Sequence, residues 1–270
     1  MSSTTSNTTA TDGLGLLTRR WSHPEPVARL LLVHGLGEHS GRYEHVGEFF
    51  VDHGYEVFAF DLRGHGASGG DRLDLESFDE FVDDLAQVFG DIPKDLPTII
   101  YGHSMGGLIV AMHAAGSDPH PTLYVLSAPL LDADLSAFLK LGSKLLSKLT
   151  PGFHLPSGIK GEQLSRDPAV GEKYFSDPLV ETKATARFSA IVLAQLGIAR
   201  AAIGDITVPT LVIHGAEDEI VPPHASAPLA GVPGVERKLF PGLRHEAHNE
   251  PEYKDVLAFV AGWIDAQLSS

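Results

Sequence analysis

The chain has 270 residues, an apolar fraction of 43% and no cysteine. That fits one large domain with a sizeable core, and it excludes a disulfide framework, a thiolate metal site and a cysteine nucleophile. Its 35 acidic residues against 20 Lys and Arg leave a net charge of −15, so nucleic-acid binding, which needs clustered cations, is disfavoured, as is adsorption to an anionic membrane surface.

In chain order, Met1-Ser-Ser-Thr-Thr-Ser-Asn-Thr-Thr-Ala10 has neither the charged nor the apolar segment of a secretory signal. Residues 1–13 are expected to be a disordered tail. Val27–Val33 is a nearly continuous apolar run, the pattern of a strand buried on both faces. It enters the Gly-rich turn His34-Gly-Leu-Gly-Glu-His39. A helix is expected over Arg42–His53, then a second buried strand over Tyr55–Phe60, which ends at Asp61-Leu-Arg-Gly-His-Gly-Ala-Ser68. Phe78, Phe81, Val82, Leu85 and Val88 recur at helical spacing. Further strands are expected at Thr98–Tyr101, Thr122–Ser127, Pro209–Gly215 and Glu236–Phe240, with a closing helix over Tyr253–Leu268. Strands alternating with helices imply a mostly parallel sheet flanked by helices, with ligands bound at the strands' carboxyl ends. His34, Asp61, Ser104, Ser127 and His214 fall at such ends. No apolar run approaches the ~18 residues of a membrane-spanning helix.

Residues 129–204 break the alternation and read as a helical cap inserted between sheet strands, dividing the core into 14–128 and 205–270. Leu135, Phe138, Leu139, Leu145, Leu146 and Leu149 share one helical face. Lys140, Lys144 and Lys148 share another, either a solvated stripe or cations flanking a lipid-surface contact. The exposed apolar face would serve a transient membrane or lipid-droplet contact or a homodimer equally well.

Gly102-His-Ser104-Met-Gly106 lies between an apolar strand and an apolar helical run, the context required of a G-x-S-x-G nucleophile turn. Glycines flank Ser104 because so sharp a turn leaves no room for side chains, and the following helix N-terminus favours developing negative charge. Serine needs an imidazole base, itself oriented by a carboxylate, and in this fold class the chain order is Ser, acid, His. Asp218, in the His214-Gly-Ala-Glu-Asp218 turn, is the expected acid, with Glu217 and Glu219 as solvated neighbours. His245, after Pro241-Gly242, is the expected base and His248 its rival. The oxyanion donors would be the N–H groups of Leu36 and Met105. The histidines lack H-E-x-x-H spacing, so no metal site is expected, and the chemistry needs no cofactor.

The runs His34-Gly-Leu-Gly-Glu-His-Ser-Gly-Arg-Tyr43, Asp61–Gly70, Gly102–Gly107, Leu126–Pro129 and Pro241–Pro251 together resemble the monoacylglycerol lipases of the α/β-hydrolase superfamily. The resemblance runs from about Leu14 to the C-terminus and is nearest to bacterial members. It implies the same nucleophile, acid, base and oxyanion donors. It also implies that Glu38, Arg42 and His248 line or support a polar pocket for glycerol, beneath a mobile cap. The expected reaction is cleavage of a monoacylglycerol to fatty acid and glycerol, with a broad carboxylesterase or lysophospholipase as the alternative. The expected location is cytoplasmic, with peripheral membrane association. Ser104 itself excludes the dehalogenase and epoxide-hydrolase chemistries that place Asp at that position.

Overall fold

The computed structural model describes residues 2–133 and 145–269. An eight-stranded sheet is formed by β1 (Thr4–Thr9), β2 (Gly15–Trp21), β3 (Ala28–Val33), β4 (Tyr55–Phe60), β5 (Thr98–His103), β6 (Leu123–Ser127), β9 (Thr210–Gly215) and β10 (Val235–Phe240). The spatial order is β1-β2-β4-β3-β5-β6-β9-β10. The β1–β2 and β2–β4 pairings are antiparallel and the other five are parallel. β3, β5 and β9 are buried along their whole length, as continuous apolar runs between two helical layers must be.

The disordered N-terminal tail is not what the structure contains. Thr4–Thr9 pairs in register with Arg20–Gly15 as the sheet's edge. Threonine suits a pleated surface despite its polarity, and Ser6 and Thr18 hydroxyls meet across the strands at 2.8 Å. The strand carries no apolar face, so periodicity could not reveal it. β2 was also absent from the sequence reading; its Trp21 is buried, but its Thr18 and paired arginines break the apolar run.

One helical layer holds α1 (Glu44–Asp52) and α8 (Tyr253–Leu268), packed on Tyr43, Trp21 and the β3–β4 face. The other holds α2 (Asp79–Asp91) and α3 (Met105–Ala115). Between β6 and β9 lie a helical turn at 145–149 (α4), β7 (His154–Pro156), α5 (Gly161–Leu164), α6 (Pro168–Ser176), β8 (Lys183–Thr185) and α7 (Ala186–Ala202). β7 and β8 form a separate two-stranded antiparallel sheet. Leu135, Phe138, Leu139, Lys140 and Lys144 lie outside the described residues. Leu145, Leu149 and Phe153 are exposed. α7 sends Phe188, Val192, Leu196 and Ala199 into the core beside α3, so the core extends into the 129–204 stretch.

The expectation that no stretch is long and apolar enough to span a membrane needs correction on one element. Residues Ala186–Asp205 meet the test of length and composition, with mean hydropathy 1.4. Arg187, Gln195 and Arg200 interrupt the run, which hid it from a reading that sought unbroken apolar sequence. A core helix passes the same test, and α7 packs Phe188, Val192, Leu196 and Ala199 into the core.

Candidate active site

Pairing registers bring Val33, Phe60 and Gly102 side by side, so the loops after β3, β4 and β5 converge on one sheet edge. β6 and β9 continue it through the His103–Ser127 and Ser127–Ile213 pairs. Ser104 stands between β5 and α3 at φ +53°, a left-handed conformation that a non-glycine residue adopts only when the surroundings impose it. The imposition is visible. Ser104 N donates to Ser127 O at 2.9 Å, and its carbonyl accepts from Leu130 N and Leu108 N at 3.0 Å. A Cβ on Gly106 would come within 2.3 Å of Val33 O and 2.4 Å of His34 O, and one on Gly102 within 2.5 Å of Gly106 O. Gly106 is therefore required by the close passage of β3's end beneath the turn, and Gly102 by the turn's own return at Gly106.

His245 Nε2 lies 3.0 Å from Ser104 Oγ and its Nδ1 2.7 Å from Asp218 Oδ2. All three side chains are buried. Asp218 Oδ1 accepts from Ile220 N at 2.8 Å and Val221 N at 2.9 Å. Burial opposes the Asp218 charge, but the His245 and His214 contacts and the Val221 N–H outweigh it and hold this carboxyl below the usual carboxylate range. Burial likewise opposes the His245 imidazolium, yet the Asp218 charge and hydrogen bond prevail and raise its pKa above the ordinary 6.5. Neighbouring imidazoles go the other way. Burial pushes His103 down to about 3 and His248 well below its ordinary value. His248 is thus not placed as the base: its ring stacks on Tyr43 at 4.9 Å and meets His103 edge-on at 4.7 Å. Glu217 and Glu219 are both exposed, as solvated neighbours of Asp218 should be.

Beside the triad, Gly35 packs against Ser104: a Cβ on Gly35 would stand 3.3 Å from Ser104 Cβ. The Gly35 carbonyl is held by His34 Nδ1 at 2.8 Å, with Leu62 N donating to His34 Nε2 at 2.9 Å. In a trans peptide the C=O of Gly35 and the N–H of Leu36 point in opposite directions, so fixing one aims the other. Met105 is buried at the first position of α3.

Glu38 and Arg42 are structural braces as well as neighbours of the polar end. Glu38 Oε1 accepts from Gly35 N at 2.7 Å and Tyr43 Oη at 2.8 Å, while its Oε2 pairs with Arg42. Arg42 also grips Glu246 through two contacts of 2.8 Å. Burial opposes the Glu246 charge, but Arg42 overcomes it and depresses this carboxyl. Glu246 escaped the sequence reading because its partner lies 204 residues away. Tyr174 on α6 was also missed. Its ring lies under Arg42 at 4.9 Å, and its buried Oη has no partner among the described residues; both ring nitrogens of His248 share that condition. Asp61 joins the first two family runs, its Oδ1 accepting from Ser40 N at 2.8 Å and its Oδ2 from Ala67 N at 2.8 Å.

The insertion closes over this site. Glu181 N donates to Gly37 O at 2.8 Å, His39 Nε2 meets Asp177 at 2.9 Å, and Glu246 N donates to Leu164 O at 2.8 Å. Among the described residues no cluster of three or more His, Cys, Asp or Glu could hold a metal ion.

Comparison with known proteins agrees with the geometry. The family described as "Hydrolase_4: Serine aminopeptidase, S33" matches residues 24–252. The monoacylglycerol lipase of Mycolicibacterium smegmatis is 38% identical over 262 residues, covering 90% of each chain. Human monoglyceride lipase is 33% identical, covering 96% of this chain and 89% of that one. The crystal structure of Paleococcus ferrophilus monoacylglycerol lipase superposes with a TM-score of 0.83 at 31% identity, covering 93% of this chain and 99% of that one. The chain belongs to the monoacylglycerol lipase family of the α/β-hydrolase superfamily.

Proposed function

We propose that this chain hydrolyses the single ester of monoacylglycerols through an acyl-enzyme on Ser104. The observation that carries the reading is the continuous Ser104–His245–Asp218 hydrogen-bond chain at 3.0 and 2.7 Å. Ser104 Oγ attacks the ester carbonyl as His245 Nε2 takes its proton, and Asp218 stabilises the imidazolium. The N–H groups of Leu36 and Met105 receive the oxyanion, each worth ~10²–10³ in turnover. His245 returns the proton to the departing glycerol oxygen, and a water activated by the same base then releases the fatty acid.

A neutral head group is favoured over a phosphate. The polar cluster places one cation, Arg42, between two carboxylates, Glu38 and Glu246. Its net negative charge repels an anionic head group. Arg244, the other cation considered for that role, is occupied with the carbonyls of Glu162 and Ser165. The unpartnered Tyr174 Oη and His248 nitrogens suit the hydroxyls of glycerol. Leu145, Leu149 and Phe153 make an exposed apolar group on the insertion, suited to brief contact with the lipid surface that supplies such a substrate.

The test is a hydrolysis profile over mono-, di- and triacylglycerols of one acyl chain, with lysophosphatidylcholine. Strong preference for the monoacylglycerol supports the reading. Equal or faster cleavage of the lysophospholipid or of short simple esters replaces it with the broader esterase or lysophospholipase.

A further inference from the structure

We propose that His214 is a positioning residue for the triad, holding Asp218 in line with His245, and that Ser226 and Arg237 support its tautomer from the far side. The inference rests on the Ser104–His245–Asp218 reading above.

His214 sits near the end of β9 and is fully enclosed. Its Nε2 lies 2.8 Å from Val221 O, a carbonyl that can only accept, so Nε2 carries the proton. The same N–H lies 3.2 Å from Asp218 Oδ2, the oxygen that also receives His245 Nδ1–H. One donor therefore ties the acid to the backbone of the turn that presents it. The bare Nδ1 of His214 must accept, and Ser226 Oγ stands 2.8 Å away. Ser226 Oγ also lies 3.2 Å from Pro223 O, but Arg237 Nη2 donates to that carbonyl, so the hydroxyl proton goes to the shorter contact at His214 while Ser226 Oγ receives Arg237 Nε–H at 3.0 Å.

Two donor chains therefore converge on Asp218 Oδ2: Arg237 on β10 through Ser226 and His214 from one side, and Ser104 through His245 from the other. A donated hydroxyl at Nδ1 also strengthens the Nε2–H donor. Without His214, Oδ2 would answer to His245 alone. The carboxylate would be more basic and free to rotate about its remaining bonds, and the His245 imidazolium would be overstabilised.

The experiment follows the His245 titration by NMR of its ring protons in the wild type, His214→Leu and His214→Gln. Leucine removes the donor at similar volume, and glutamine keeps one N–H. In His214→Leu the His245 midpoint should rise by about one pH unit, a ~tenfold gain in proton affinity. Turnover near neutral pH should fall ~tenfold with KM unchanged, because base orientation is lost and substrate contacts are not. His214→Gln should recover most of both. An unmoved midpoint in both variants, or an equal shift in both, overturns the role and leaves His214 as core packing. If His214→Leu does not fold, Ser226→Ala carries the test. A smaller upward shift there supports the relay, and an unmoved midpoint overturns it. The titration needs no substrate, so failure of the monoacylglycerol reading would appear in the hydrolysis profile and not here.

Discussion

Arg42 grips the carboxylate of Glu246 with two contacts of 2.8 Å, and Glu246 is the residue immediately after the base, His245. Since Arg42 also holds Glu38, whose other oxygen receives the Gly35 amide, the oxyanion turn and the base loop share one buried cation. The arrangement couples two loops contributed by opposite ends of the chain. Replacing Arg42 by Met should leave two buried carboxylates uncompensated and cost ~3–5 kcal/mol, measured by denaturant unfolding. Turnover should fall with it. A loss of stability below ~1 kcal/mol, the range of exposed pairs, would mean the cluster is solvated.

The acid limb of kcat/KM against pH should report a single ionisation above 6.5. Burial opposes the His245 charge, but Asp218 more than offsets it and raises this group. Protonated His245 cannot accept the Ser104 proton, so activity is lost as pH falls through that raised value. His103, pushed down to about 3, and His248, also lowered, stay neutral throughout. A second ionisation between pH 5 and 8 would contradict this assignment of charges.

Much of this site could be read from sequence because its signals are local. The G-x-S-x-G turn and the acid each follow a buried apolar strand, β5 and β9, and the base follows the Pro241-Gly242 turn after β10; strand ends are where such a sheet places its chemistry. What stayed hidden depends on contact between distant segments. Glu246 matters through Arg42, His214 through the Ser226 hydroxyl, and Tyr174 through an insertion helix with little apolar periodicity. β1 was read as disorder because it is polar on both faces and owes its order to pairing with β2. β7 and β8, at three residues each, are too short for a period to register.

Ser104→Gly should be more stable than Ser104→Ala by about 1 kcal/mol. Position 104 holds φ +53° and ψ −115°, where any side chain is strained and glycine is not. Both variants should lack turnover. Comparison of their thermal unfolding midpoints checks the strain; equal midpoints would show that the turn relaxes around alanine.

Gly106→Ala should cost at least ~2 kcal/mol, since backbone must move to admit the new methyl. The obstructing atoms are carbonyl oxygens of Val33 and His34, directly before the oxyanion turn. Any folded fraction should therefore hydrolyse poorly. A variant with wild-type melting and turnover would contradict the tight passage of β3 under the nucleophile.

The central claim is that Ser104 is the nucleophile, activated by His245 and oriented with Asp218. Its most direct measurement is labelling with a fluorophosphonate, followed by mass mapping of the modified residue, in the wild type, Ser104→Ala, His245→Ala and Asp218→Asn. One adduct on Ser104 in the wild type is predicted, none in Ser104→Ala, and strongly slowed labelling in the other two. An adduct elsewhere, or Ser104 labelling at an undiminished rate without His245, would contradict it.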